Sequence, residues 1–327
     1  MAKNTVMIYA CGGAGANISK RLEKFRGGNI PGLAQAKIAY INTSNSDYDD
    51  DVSHDAIYIT EGTDGSGKDR GENNQLLKNA VPNILGTFKP ADLNIVVTSG
   101  GGGTGGVAAN HILNELTARG VPTIIIVIGS VGSAKEVNNT INTLKSIERT
   151  CQVQQKPVVI QYYQNDTVTP KSMVDAAIEW SITRLLVLAS GENKHFDAAD
   201  LKNWLNYEKV SDVGPQLTTL DILSKSDLDT LQKSNLVTMA VLATSGMDTE
   251  NDLFIDYQAT GFVGKDVFAP GEFKEPVYFV TKTGVINTID KKLKEVLQQF
   301  KEVRGAAVRH TPIIDKDDSG VDDDIFI

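Results

Sequence analysis

Residues 99–106 read Ser99-Gly100-Gly101-Gly102-Gly103-Thr104-Gly105-Gly106, so that six of eight consecutive residues are glycine. The segment follows an apolar run typical of a strand, 93–98, and precedes a helix candidate, 106–119. Glycine loses more conformational freedom on folding than any other residue, so such a cluster is costly unless the backbone must approach another group closely. Because a helix N-terminus presents backbone N–H groups and a positive dipole end, the segment predicts a loop that binds phosphate.

A second glycine-rich loop follows the first apolar run of the chain, 6–10. It reads Cys11-Gly12-Gly13-Ala14-Gly15-Ala16-Asn17 and opens another helix candidate, 14–25. Two helix N-termini directed at one anion from separate strands suit a triphosphate better than a single pyrophosphate. The two loops together predict a nucleoside triphosphate site, with flexible surface turns as the alternative.

The rest of the first 165 residues alternates apolar strand candidates with amphipathic helix candidates. The further strand candidates are 38–41, 57–60, 123–129 and 158–163, and the helix candidates are 73–85 and 135–153. Several of these strands are continuously apolar, as expected for parallel strands covered on both faces. The pattern predicts a doubly wound α/β nucleotide-binding domain over residues 1–168.

The second half of the chain is less regular. Residues 171–190 predict a long, largely buried central helix within the segment 169–192. Strand candidates at 237–243 and 276–281 and a helix at 289–300 indicate a smaller α+β domain over 193–300. The C-terminal extension, 301–327, ends in an acidic tail, DKDDSGVDDDIFI at 315–327, with six aspartates. Trp180 and Trp204 fall on predicted helices, and we expect both in the core.

Composition excludes several classes of function. The net charge of −9 over 327 residues argues against direct nucleic-acid binding, which favours a basic surface. No apolar run approaches the length of a membrane span, and no signal-peptide pattern is visible, so we expect no membrane association. The two cysteines are too few for a disulfide framework and suggest a reducing cytoplasm. The four histidines lack metal-ligand spacing.

Two known phosphate motifs are nearly matched. Residues 62–68 fit GxxxxGK, but Asp69 stands where a P-loop needs a hydroxyl for Mg²⁺, and its carboxylate would repel phosphate. Gly100, Gly102 and Gly105 fit GxGxxG, but the following strand candidate does not end in the acid that a dinucleotide site needs for ribose.

The order of four segments resembles the first four nucleotide loops of the tubulin/FtsZ superfamily. These segments are GGAGAN at 12–17, Asn42-Thr43-Ser44-Asn45, the loop 61–73, and GGGGTGG at 100–106, in which Gly106 replaces the serine of the family signature GGGTGSG. The resemblance implies a GTPase that binds GTP and GDP with Mg²⁺ and polymerises with itself into filaments. It also implies that hydrolysis is completed at the longitudinal interface between subunits.

The same resemblance implies which residues contact the nucleotide. Asn165, Asp175 on the central helix, and Asn17 would contact guanine, whose N1–H and N2–H₂ groups a carboxylate or amide oxygen can accept. The alternative for Asp175 is a charge that complements the helix dipole. The remaining implied contacts are Gly12, Gly13, Ala14, Gly15, Asn42, Gly65, Gly67, Gly101, Gly102, Gly103, Thr104 and Gly105.

The superfamily's catalytic acids follow the pattern Asn-x-Asp-x-x-Asp after the central helix. This chain has His195, Asp197 and Asp200 at the three positions. The resemblance implies that Asp200, with Asp197 as its partner, activates the attacking water on a neighbouring subunit's nucleotide. The alternative for Asp197 is N-capping of a helix over 198–207. The substitution by His195 leaves open how that position contacts nucleotide.

Further segments resemble the phage-encoded tubulins of large bacteriophages: NTLKSIE at 142–148, VVIQYY at 158–163, NWLNYEKVSD at 203–212, and the acidic tail. That resemblance implies a filament that positions phage DNA or particles in the host cytoplasm. It also implies that the tail docks on a neighbouring subunit, and the alternative for the tail is a solvated segment that keeps the protein soluble. The alternatives are an FtsZ- or TubZ-like GTPase of division or plasmid segregation, a non-hydrolysing relative, and a Rossmann-type enzyme.

Overall fold

A computed structural model describes residues 4–27, 30, 32–46, 48, 52–71, 73–190, 195–224, 235–244, 255–263, 276–282 and 284–305. The acidic tail and His310 lie outside these described residues, and so do 191–194 before the predicted catalytic acids.

Ten strands form a single sheet. They are β1 Thr5–Cys11, β2 Gln35–Asn42, β3 Ile57–Ile59, β4 Leu93–Ser99, β5 Thr123–Ser130, β6 Val158–Asn165, β7 Leu217–Ser224, β8 Leu236–Thr244, β9 Tyr257–Val263 and β10 Pro276–Lys282. Their order is β3-β2-β1-β4-β5-β6-β7-β10-β8-β9. β10 runs antiparallel to β7 and β8, and the other neighbouring pairs are parallel.

In the described part of the chain, seven α-helices cover the two faces of the sheet. They are α1 Gly12–Lys20, α2 Asn74–Thr87, α3 Thr104–Ala118, α4 Ala134–Gln154, α5 Lys171–Leu188, α6 Ala198–Leu205 and α7 Gly284–Gly305. One buried core lies beneath α1, α5 and α6, another lies beneath α2, α3, α4 and α7, and a smaller buried cluster joins β8 and β10. This arrangement confirms the predicted doubly wound α/β fold. Among the described helices, none has the length and apolar character needed to cross a membrane.

The predicted strands and helices are all present, and α7 is much longer than predicted. The first helix ends early, at Lys20, and a 3₁₀ turn at Glu23–Phe25 follows it. β6 pairs in parallel with β7 through residues 158–160 and 217–219, so the sheet continues from the first predicted domain into the second. The division into domains stays a prediction.

Two strands, β7 and β9, were not predicted. β7 carries Thr218 and Thr219 at buried positions, where their hydroxyls are satisfied by neighbouring strands. Thr218 Oγ1 donates to Val158 O at 3.3 Å, and the hydroxyls of Thr219 and Thr281 lie 2.6 Å apart. These partners lie about sixty residues away in the sequence. The sequence pattern therefore gives no sign that the two threonines are buried, and β7 was missed for this reason.

The two tryptophans differ in burial. Trp204 is fully buried, as predicted, but Trp180 is 46% exposed, so its prediction was wrong. Met173 is exposed on the same helix, seven residues earlier, and this spacing defines a stripe of α5 that faces solvent. The guanidinium of Arg184 lies 4.3 Å from the Trp180 ring centroid and forms a cation–π contact there.

Candidate functional site

A cavity of about 510 Å³ lies where β1, β2, β4, β5 and β6 end. In open α/β sheets, ligands bind in the crevice outside the carboxyl ends of the strands. Twelve of the predicted nucleotide contacts line it: Gly12, Gly13, Ala14, Asn42, Gly65, Gly101, Gly102, Gly103, Thr104, Gly105, Asn165 and Asp175. Segments far apart in the sequence therefore meet at one site.

The two glycine-rich loops touch each other directly. Gly12 has a φ of +70°, and a Cβ added there would lie 2.9 Å from Gly105 Cα. A Cβ on Gly105 would lie 2.7 Å from Cys11 O and 2.8 Å from Thr98 Oγ1. These distances are too short for a side chain, so glycine is required at both positions. Cys11 itself is fully buried, as predicted.

The helices that begin at these loops have uncapped N-termini. Neither α1 nor α3 has a side-chain cap or an acidic residue in its first turn. By contrast, Ser133 caps α4 and Asp197 caps α6. The backbone N–H groups that begin a helix have no partner within the helix, so those of α1 and α3 are suited to bind an anion.

A cluster of hydroxyl groups joins three loops at the floor of the cavity. The Thr43 and Thr104 hydroxyls lie 2.6 Å apart, and Thr104 Oγ1 donates to Ser66 Oγ at 3.0 Å. A Cβ on Gly103 would lie 2.4 Å from Ser66 Oγ. The loop that contains Ser66 therefore packs closely against the four consecutive glycines at 100–103, the tetraglycine segment. Thr43 and Ser66 were not predicted as site residues, because small polar residues in loops carry little sequence signal.

Residues 62–68, the segment that nearly matches a P-loop, also reach the cavity. Lys68 lines it and pairs with Glu136, which lies in the first turn of α4 and lines it too. Burial alone would raise the pKa of Glu136, but hydrogen bonds from Lys68 and Ser130 hold that pKa below its ordinary value. Asp69 does not line the cavity, and its Oδ1 accepts from Gly71 N at 2.7 Å.

Three predicted contacts do not line the cavity: Gly15, Asn17 and Gly67. Gly15 is buried under the first loop, where a Cβ would lie 2.6 Å from Val97 O, so it allows α1 to pack on β4. Asn17 is exposed on α1, and Gly67 has a φ of +51° in the turn before Lys68. Their roles as nucleotide contacts stay predictions.

Asp175 lines the cavity from α5, together with Lys171. Its side chain is 15% exposed, and its Oδ2 lies 3.7 Å from Arg21 Nη1. α5 begins at Lys171 and has no acidic residue in its first turn, so Asp175 lies past the turn where the helix dipole acts most strongly. The dipole alternative is therefore poorly supported for this residue.

The predicted catalytic acids lie outside this cavity, at the start of α6. Asp197 Oδ1 accepts from Asp200 N at 3.1 Å and Asp200 Oδ2 accepts from Asp197 N at 3.1 Å, which together form a capping box, and Asp197 Oδ1 also accepts from Ala199 N at 2.7 Å. The capping alternative is thus present in the structure. Asp197 is nevertheless exposed, and Asp200 Oδ1 accepts from Tyr257 OH at 2.6 Å. Burial, together with that hydrogen bond, raises the pKa of Tyr257 to about 12.

His195 immediately precedes these acids and has a φ of +68°. A left-handed backbone is uncommon for non-glycine residues, but asparagine, aspartate and histidine adopt it more readily than others. Histidine is therefore among the residue types that can occupy this position. The His195 ring packs edge-on against Phe262, with centroids 5.9 Å apart.

A second cavity, of about 220 Å³, is basic. Arg70, His111 and Arg149 line it with asparagines, hydroxyl residues and valines, and none of its described lining residues is acidic. The Asn110 side chain, which also lines it, has buried amide atoms without a hydrogen-bond partner among the described residues. Burial lowers the pKa of His111, and the charges of Lys78 and Arg70 lower it further. The lining favours a negatively charged occupant.

No group of three or more His, Cys, Asp or Glu residues in the described part of the chain is arranged to hold a metal ion.

Comparison with known proteins gives consistent similarities, although no protein-family model matches the chain. A phage tubulin-like protein from Pseudomonas phage PhiPA3 is 25% identical over 329 residues, covering 100% of both chains. A protofilament structure of TubZ from bacteriophage PhiKZ has a TM-score of 0.82 at 26% identity and covers 95% of this chain and 96% of that one. A structure of the phage tubulin PhuZ with GDP has a TM-score of 0.86 at 23% identity over 98% of each chain.

The sheet order, the glycine loops and these similarities define a tubulin-like nucleotide-binding fold. Within that class, the chain is similar over its whole length to the phage tubulins. The resemblance to the tubulin/FtsZ superfamily, and to its phage-encoded members, is thereby confirmed.

Proposed function

We propose that this chain binds GTP in the cavity at the strand ends and hydrolyses it to GDP within filaments of identical subunits. The observation that carries the proposal is the convergence of two uncapped helix N-termini and two interlocked glycine loops on one cavity. The similarity to a phage tubulin solved with GDP and to a TubZ protofilament supports both the ligand and the assembly.

The cavity fits a guanine nucleotide in two respects. At one end, Gly12 and Gly105 pack without side chains, so backbone N–H groups of α1 and α3 can approach phosphate oxygens closely. At the other end, Asp175 and Asn165 offer oxygen acceptors. Guanine presents two neighbouring N–H donors that adenine lacks, so a carboxylate at this position favours guanine.

Replacing Asp175 by asparagine is expected to weaken GTP binding about tenfold or more, because a hydrogen bond to a charged group contributes about 1.5–3 kcal/mol. The preference for GTP over inosine triphosphate, which lacks the 2-amino group, should shrink as well. Dissociation constants for both nucleotides, measured by calorimetry, would check this.

Glu179→Gln provides the matched control. Glu179 lies one helical turn after Asp175 and also pairs with Arg21, at 3.1 Å, but it does not line the cavity. An Asp175→Asn chain with unchanged affinity and unchanged nucleotide preference would refute the assignment of Asp175 to guanine.

The position of the acids favours hydrolysis between subunits. Asp197 and Asp200 do not line the cavity of their own chain, so one subunit holds the phosphates without the acids. A neighbouring subunit that presents α6 to the open end of the cavity would complete the site. Asp200 would then orient and polarise the attacking water, and Asp197 would hold the start of α6 in place.

Mg²⁺ fits this site as a partner of the phosphates rather than of a protein ligand cage. When bound, it would neutralise phosphate charge. The Thr43 and Thr104 hydroxyls line the cavity beside the glycine loops, and as neutral oxygen donors they would hold the hydration shell of the ion.

The acidic tail, residues 315–327, would dock on a neighbouring copy. The basic cavity lined by Arg70, His111 and Arg149 supports this, because its charge complements six carboxylates. Each subunit would thus bind the next through two contacts. One is the nucleotide interface, and the other, here called the clasp, is the acidic tail bound in the neighbour's basic cavity.

Removing residues 315–327 is expected to leave nucleotide binding unchanged and to raise the critical concentration for assembly sharply. Arg149→Glu in the full-length chain should also raise the critical concentration. In the truncated chain, the same substitution should raise it little further, because the tail that Arg149 would bind is already gone. Lys145→Glu is the control, since Lys145 is exposed on the same helix but does not line the cavity. Light scattering against protein concentration measures each case, and unchanged assembly of the truncated chain would contradict the clasp.

By the same similarity, we infer that the filament works in the cytoplasm of an infected bacterium and positions phage DNA or particles there. Imaging of tagged filaments in infected cells, with the Asp200→Asn variant for comparison, tests this. Phage DNA that stays centred when filaments are absent would contradict the cargo role.

A further inference from the structure

The segment 62–68 matches a P-loop in sequence and lies in the loop between β3 and α2, but no helix begins directly after Lys68, as one does in a P-loop, because α2 begins only at Asn74. Lys68 nevertheless reaches the cavity that holds the tetraglycine segment. The turn before it uses left-handed backbone at Gly65 and Gly67, and Lys68 itself has a φ of +63°. An uncommon conformation for lysine is thus maintained at a position that lines the proposed phosphate site.

One side of α4 holds this turn in place. Asn139 Nδ2 donates to Lys68 O at 3.0 Å and to Gly101 O at 3.1 Å, so it ties the turn to the tetraglycine segment. The Lys68 side chain pairs with Glu136, whose other oxygen accepts from Ser130 Oγ at 2.7 Å. The backbone of Lys68 is therefore fixed, and its ammonium group has a carboxylate partner inside the site.

Glu136 lies close to the proposed phosphate position. A Cβ on Gly101 would lie 3.2 Å from Glu136 Cβ, so the acid stands beside the tetraglycine segment. Its side chain is 17% exposed and has fixed partners, whereas the Lys68 side chain is 55% exposed. A carboxylate at this position repels a phosphate group unless a cation stands between them.

We propose that Lys68 distinguishes a nucleoside triphosphate from a diphosphate by moving its ammonium group from Glu136 to the terminal phosphate. This inference rests on the GTP site proposed above. A phosphate group carries more charge and more acceptor oxygens than a carboxylate, so it competes successfully for the lysine. With a diphosphate bound, the terminal position is empty and Lys68 stays with Glu136. Glu136 thus opposes a triphosphate whenever Lys68 is missing.

The test compares dissociation constants of GDP and of a slowly hydrolysed GTP analogue in the full chain. Lys68→Gln should weaken analogue binding about tenfold to a hundredfold, the value of a hydrogen bond to a charged group. It should change GDP binding less than about twofold. Lys68→Arg should retain most of the analogue affinity, because it restores the charge.

Two further variants separate this role from a structural one. In Lys68→Gln/Glu136→Gln, part of the lost analogue affinity should return, because the repelling carboxylate is gone. Lys145→Gln is the matched control, since Lys145 is exposed on α4 and does not line the cavity, and neither affinity should change. Thermal melting of each variant checks that the fold is retained.

The possible failures are distinguishable. Equal losses for GDP and the analogue in Lys68→Gln, or no loss for either, would overturn the inference and leave the GTP site in place. Failure of the unaltered chain to bind either nucleotide would overturn the proposed function, and this inference with it.

Discussion

Replacing Asp200 by asparagine is expected to lower GTP turnover per subunit about 100-fold or more, the usual contribution of a positioned acid–base group. Asparagine keeps the shape of the side chain. Its Oδ1 can accept from Asp197 N, and its Nδ2 can donate to the Tyr257 hydroxyl, so α6 should keep its capping box. GTP binding should not change, because Asp200 lies outside the cavity of its own chain. Filaments should therefore form and persist instead of turning over.

Turnover is measured by phosphate release and filament lifetime by light scattering after GTP is exhausted or diluted. Asp256→Asn is the control for charge, because Asp256 is an exposed acid close in sequence to Tyr257 and bonded to Ser211. If Asp200→Asn filaments disassemble at the rate of the unaltered chain, Asp200 does not activate the water.

Replacing Gly105 by alanine is expected to abolish high-affinity GTP binding, with a loss of about 100-fold or more as two or more N–H contacts to phosphate are displaced. The added methyl group would lie 2.7 Å from Cys11 O, so the first glycine loop and α3 must move apart. Overpacking of this kind also costs about 1–3 kcal/mol of stability. In Gly12→Ala, the added methyl group would lie 2.9 Å from Gly105 Cα, so the same two loops would be forced apart and GTP affinity should fall by a similar factor.

Gly86→Ala is the matched control, because a Cβ there meets nothing within 4 Å and its position is helical. That variant should bind GTP normally and be slightly more stable, since alanine favours helix over glycine by up to about 1 kcal/mol. Calorimetric titration and thermal melting give both quantities. Normal GTP affinity in Gly105→Ala would mean that the loop contact is not part of the binding site.

The sequence was most informative where structure is local. Buried parallel strands such as β4 and β5 are continuous apolar runs, and the glycines at 100–106 mark a loop whose purpose is close approach. These features predict the doubly wound sheet and the position of the phosphate end of the site. The exposed Trp180 shows the limit of such patterns, because one stripe of an otherwise apolar helix can still face solvent.

Features that depend on distant partners could not be predicted from the sequence. Glu136 enters the cavity only because α4 packs against the loop 61–73, nearly seventy residues earlier, and Ser66 enters because that loop rests on Gly103. β7 was missed because its buried threonines bond to Val158 and Thr281. In each case the residue type alone suggests a solvent-exposed loop or strand edge.

The central claim is that the active site is completed between subunits, and GTP hydrolysis per subunit as a function of protein concentration tests it most directly. Light scattering is recorded in the same cuvette, with ATP as the control nucleotide. We expect a threshold concentration above which turnover and scattering rise together, with GTP and not with ATP. Turnover per subunit that stays constant across the concentration range would show a self-contained active site and contradict the account.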